Sequence, residues 1–157
     1  MRTYEIVVTE KYYSTKKDSL KLYKETDSMF LKEQSMTKQS GIDYRLAPNR
    51  LRTLYHMKIN TIKQEQGELM RELIGKKGKP AAFLKPPVSL TISFFSKNKR
   101  IQDLDGLLGS QKGYIDGTVG LVIEDDSAEI MPCIKLHYKS SVKEPKVIFE
   151  FEEMQSE

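Results

Sequence analysis

A chain of 157 residues, 38% hydrophobic and 31% charged, has the size of one ordinary domain with a modest core, so one compact domain is expected rather than two. Lys and Arg exceed Asp and Glu by four (26 against 22), a mild bias toward polyanionic partners. No run approaches the ~20 apolar residues that span a bilayer and the start lacks a signal peptide's apolar segment, which excludes a membrane protein and leads us to expect a cytoplasmic one.

In chain order, Thr3 to Thr9 is rich in β-branched residues and predicts a strand. Residues 10–41 show no sustained period and read as an insertion or irregular excursion, with helical character around Leu20 to Lys24 and Met29 to Glu33. Ile42 to Ala47 suggests a short strand, and Pro48-Asn49 marks a boundary before a long helix. From Arg50 to about Ile74 apolar residues recur at threes and fours (Leu51, Leu54, Ile62, Leu69, Leu73), and the segment from Gly75 to Pro80 should stop this helix.

Val88 to Ser96 alternates apolar and small polar side chains, as a strand with one buried face does. A second helix is expected over about Asp103 to Gly117, followed by a short apolar run Leu121 to Ile123 and a turn at Glu124-Asp125-Asp126. Strand-like segments at Glu129 to Lys139 and Lys146 to Glu152 complete the chain. The single cysteine, Cys133, cannot form an intrachain disulfide or a cysteine-based zinc site, and its apolar neighbours predict a buried small hydrophobe. The expected fold is a single α+β domain with two main helices on a mixed or mostly antiparallel sheet.

Chemistry concentrates after the Val88 strand. Asp103-Leu104-Asp105 can converge on one ion only if Asp103 precedes the helix, where it would also be the N-cap, and Asp105 lies in its first turn. Asp125-Asp126 follows Val122-Ile123, so a second loop could bring carboxylates to the same sheet edge. Asp103, Asp105 and Asp126, with Asp125 beside them, would suit Mg²⁺ or Mn²⁺, hard ions that prefer oxygen ligands. The competing reading is a helix cap at Asp103 and an ordinary turn at Asp125-Asp126.

On a continuous helix Lys112 and Asp116 would share the face of Asp105, at about 340° and about 20° from it. Asp116 would nevertheless lie about 16 Å along the axis from Asp105, off the metal and suited to pairing with Lys112 at i, i+4. Lys97, Lys99 and Arg100 before the acidic pair, and Lys76, Lys77 and Lys79 ahead of the same strand, are candidate phosphate contacts, which Arg50, Arg52, Lys58 and Lys63 could widen. His56 and His137 read as structural residues, and no phosphate-loop, dinucleotide or serine-hydrolase motif is present.

The ordered string Arg100-Ile-Gln-Asp103-Leu-Asp105-Gly106, Lys112-Gly-Tyr-Ile115-Asp116-Gly117 and Gly120-Leu-Val-Ile-Glu-Asp125-Asp126-Ser127 resembles the RusA family of Holliday junction resolvases. Ala47-Pro48-Asn49-Arg50 also looks like that family's early Pro-x-Asn segment. The resemblance implies that Asp103, Asp105 and Asp126 are catalytic Mg²⁺ ligands with Asp125 next to them. It further implies a homodimer that nicks branched DNA, a four-way junction, symmetrically. Two departures are visible. Gly106 stands where the family has asparagine, and Lys112 stands seven residues after Asp105 where a shorter form has its lysine at four. A catalytically inactive junction-binding protein of the same fold is the alternative expectation.

Overall fold

The computed structural model describes residues 2–9, 56–96, 104–140 and 142–155, with backbone alone at 9, 56–59 and 104–106. The expectations for residues 10–55 and 97–103, including the excursion, the Ile42 strand and the start of the long helix, lie outside the described residues. In chain order the described elements are β1 (Thr3–Thr9), α1 (His56–Lys77), β2 (Val88–Phe95), α2 (Leu104–Ser110), α3 (Lys112–Asp116), β3 (Cys133–Lys139) and β4 (Lys146–Glu153).

The strands form one sheet in the order β1-β4-β2-β3. β4 runs antiparallel to both β1 and β2, whereas β3 runs parallel to β2, so the sheet is mixed as expected. The alternation seen in the sequence fixes which face is buried. Tyr4, Ile6 and Val8, then Val88, Leu90, Ile92 and Phe94, then Val147, Phe149 and Phe151 all point to one side and are buried. Leu69, Met70 and Ile74 of α1 cover that side together with Leu107, Tyr114 and Ile115. The Tyr114 and Phe149 rings meet at 5.8 Å, joining α3 to the central strand. On the other face β3, at the sheet edge, carries the exposed Lys135, His137 and Lys139, and the two lysine charges discourage strand pairing with another chain.

The long helix stops inside the expected segment: it runs to Lys77 and closes at Gly78, whose φ of 95° and N–H bond to the Ile74 carbonyl (2.8 Å) make a left-handed cap. Glycine alone does not end a helix; a glycine free to take positive φ does. Cys133 is half-buried at the start of an edge strand rather than buried in the core.

Arg2 and Glu153 pin the ends of β1 and β4 to the loop before β2. The Glu153 carboxylate accepts hydrogen bonds from the Lys85 N–H (2.8 Å), the Arg2 N–H (3.2 Å) and Arg2 Nε (2.9 Å), while Arg2 reaches the carbonyls of Ala82 and Phe83. The Lys85 and Arg2 amides, then the guanidinium, hold the Glu153 carboxyl down at about 2. A carboxyl lowered by folding adds stability that is complete above its unfolded pKa, near 4.3, and vanishes as pH falls through the folded value. Glu153→Gln is therefore expected to lower Tm at pH 7 and to match the parent near pH 2, which thermal scans across that range would check.

Candidate functional site

The expected helix over Asp103 to Gly117 is two helices. α2 ends at Ser110 and α3 starts at Lys112, with Gln111 between them at φ −102° and ψ 9°. Glycine at 106, 109, 113 and 117 gives this stretch weak helical propensity, at about 1 kcal/mol each relative to alanine. The Ser110 hydroxyl also donates to the Leu107 carbonyl (2.8 Å), and the Gln111 N–H bonds to Leu108 (3.1 Å), tightening the last turn.

α3 lies hard against α1. A β-carbon on Gly113 would come within 2.6 Å of the Lys63 carbonyl, and one on Gly117 within 2.7 Å of the Gly67 carbonyl. Only glycine allows this approach. The Gly113 to Gly117 spacing, one helical turn, was the available sequence signal for that contact.

Beyond α3 the chain turns sharply. Val122 N–H bonds to the Thr118 carbonyl (2.9 Å) and Gly120, at φ 86°, bonds to Ile123 (2.8 Å). Val122 and Ile123 are wholly buried, so Glu124, Asp125 and Asp126 emerge at the surface directly beside α3.

Lys112 joins these elements. Its Nζ lies 2.7 Å from Asp126 Oδ2 and 3.1 Å from Asp116 Oδ1, so one ammonium bridges two carboxylates from two segments. The pairing of Lys112 with Asp116 is the expected i, i+4 contact. The wheel geometry that set Asp116 apart assumed an unbroken helix, and that assumption is corrected by the break at Gln111. Partial burial works against the Lys112 charge, but its hydrogen bonds to Asp126 and Asp116 outweigh it and raise its pKa. The Lys112 bond holds the Asp126 carboxyl below the usual carboxylate range, against the opposing effect of burial.

Both shifts widen the pH range over which the pair is charged. The stability it adds is complete above the unfolded carboxyl value near 3.9 and below the unfolded amine value near 10.4. It is lost as acid passes the lowered Asp126 value or base passes the raised Lys112 value. With Lys112 about half exposed, the pair is worth only ~0–1 kcal/mol. Lys112→Met should consequently leave Tm within a few degrees while the Asp126 carboxyl rises toward its ordinary range, measurable by carbon-13 titration.

The other candidates fall partly within the described residues. Asp125 is exposed beside Asp126. Asp105 lies in the first turn of α2, where only backbone is described, and Asp103 lies outside the described residues. Among the described residues no group of three or more His, Cys, Asp and Glu side chains would hold a metal ion. Lys76 and Lys77 belong to the last turn of α1 and Lys79 follows it. Eleven residues separate Lys77 from Gln66, which faces Gly113, or about 16 Å along the axis, so these lysines sit far from Lys112. Lys77 is engaged with the Glu5 carbonyl and stands 4.9 Å over the Tyr4 ring. Lys97, Lys99 and Arg100 lie outside the described residues. His137 is exposed, and His56 is described by backbone alone. Among the described residues no helix is long and apolar enough to cross a membrane.

Comparison of the sequence with known protein families finds no matching family, and comparison with curated proteins finds no similar one.

Proposed function

We propose that this chain is a Mg²⁺-dependent endonuclease that nicks branched DNA as a homodimer. Asp103, Asp105 and Asp126 would be its metal ligands and Asp125 an adjacent carboxylate. The observation that carries the reading is the meeting of Lys112 with Asp126, fourteen residues apart, because both belong to the ordered string that resembles the RusA family. The spacing of Lys112 from Asp105 departs from the shorter form of that family, yet the broken helix delivers its amine directly to the second aspartate.

The donor set fits a hard divalent ion in kind, since Asp103, Asp105, Asp125 and Asp126 all offer carboxylate oxygens. When bound, Mg²⁺ supplies polarisation of the phosphoryl oxygen and a bound water of lowered pKa. The protein's own groups have separate tasks. Lys112 lowers the Asp126 pKa by its hydrogen bond and holds the carboxylate in place, favouring the ionised form that a ligand needs. Its amine is protonated at neutral pH and its raised pKa makes it a still weaker acid, which suits it to stabilise developing negative charge and not to accept a proton. The lysines at 76, 77, 79, 97 and 99 and Arg100 would contribute phosphate contacts.

Incubating the protein with Mg²⁺ and either a four-way junction or a linear duplex of the same sequence tests this. Nicking confined to the junction is expected. Equal cutting of both substrates would remove structure selectivity, and neither binding nor cutting would remove the reading altogether.

A further inference from the structure

The break between α2 and α3 leaves backbone groups that neither helix can satisfy. The Gln111 and Tyr114 N–H groups close turns onto the Leu108 and Gln111 carbonyls, which leaves the Ser110 carbonyl and the Gly113 N–H between the two helices. Both groups lie in the interior, where an unpaired backbone group is costly. Gln66 of α1 answers both. Its side chain is fully buried, its Nε2 donates to the Ser110 carbonyl at 2.8 Å and its Oε1 accepts from the Gly113 N–H at 2.9 Å.

This arrangement is specific in three ways. The two bonds use opposite ends of one amide, so a side chain with only a donor or only an acceptor cannot replace it. They close on the last residue of α2 and the second residue of α3, straddling Gln111 and Lys112. Gly113 makes room for it, since a β-carbon there would stand 2.5 Å from Gln66 Oε1. The direction of α3 from the break, and with it the root of the Lys112 side chain, is thus fixed by a residue 46 positions earlier in the chain.

We propose that Gln66 is a positioning residue, its buried amide clamping the break between α2 and α3 and thereby holding Lys112 on Asp126. The functional importance of that pair rests on the reading above, but the clamp itself needs neither DNA nor metal to be tested. Gln66 touches no reacting atom and acts only through α3. The competing account is a satisfied core glutamine with no bearing on Lys112.

The test uses the full chain without DNA or metal and follows nuclear Overhauser contacts between the Lys112 side chain and the Asp126 β-protons by NMR. Gln66→Met keeps length and helix propensity but removes both hydrogen bonds. Its folded form is expected to lose the Lys112–Asp126 contacts while retaining those between Tyr114 and Phe149. Gln66→Glu supplies the rescue: its carboxylic acid form again has a donor and an acceptor, and its ionised form has no donor. Burial raises such a carboxyl above its ordinary ~4.3, so the contacts should be present in mild acid and lost at neutral pH. This second variant decides the matter even if Gln66→Met does not fold. Persistence of the contacts in folded Gln66→Met, or their indifference to pH in Gln66→Glu, would overturn the proposal. A failure to cleave DNA would affect only the nuclease reading.

Discussion

Asp126→Asn is expected to lower Mg²⁺-dependent cleavage of branched DNA by more than about 100-fold, since a direct ligand should exceed the ~10–100-fold typical of groups that only orient ligands. The amide keeps the shape of the side chain and can still meet Lys112, but it brings no charge to a cation. Folding should hardly change. The pair it weakens is partly exposed, at 48% for Lys112 and 25% for Asp126, and such pairs contribute ~0–1 kcal/mol. Junction affinity should be retained or rise slightly, because one negative charge facing the phosphates is gone. Single-turnover cleavage beside a binding titration separates these effects, and cleavage within a few-fold of the parent would remove Asp126 from the chemistry.

Gly113→Ala should produce the largest loss of stability among single-methyl changes near the site. The added carbon would stand 2.5 Å from Gln66 Oε1 and 2.6 Å from the Lys63 carbonyl, and the second of these is helix backbone that cannot swing away. Overpacking of this kind typically costs about 1–3 kcal/mol and on occasion more. For a domain of this length that corresponds to a fall in Tm of roughly 3–10 °C. Gly109→Ala is the control. Gly109 is exposed on α2 with nothing within 4 Å of an added β-carbon, so alanine there should stabilise by about 0.5–1 kcal/mol through helix propensity. Calorimetry on the two variants compares them directly, and equal Tm values would contradict the close packing of α3 on α1.

The sheet was legible because its signal is local. Alternation in Val88 to Ser96 assigns each side chain to a face without knowledge of the partner strand, β-branched residues mark Thr3 to Thr9, and the two strands occur where expected. Their pairing was not legible: nothing in β2 or β3 alone says that they run parallel. The break at Gln111 was hidden for a related reason. Leu104, Leu107, Leu108 and Ile115 keep helical spacing across it, so periodicity reads straight through. The groups freed at the break are met by a side chain 45 positions before Gln111, and a pair of glycines packs α3 on another helix, neither of which periodicity reports. Lys112 and Asp126 were each legible as candidates, but their contact follows from that break and from the turn around Gly120, neither of which the string of motif residues encodes by itself.

The most direct measurement is Mg²⁺-titrated cleavage of a labelled four-way junction by the parent chain and by Asp105→Asn, with binding followed in parallel. The account predicts paired, symmetric nicks by the parent only when Mg²⁺ is present, and equal binding without nicking by the variant. Tight binding with no nicking by either protein, or equal nicking by both, would contradict it.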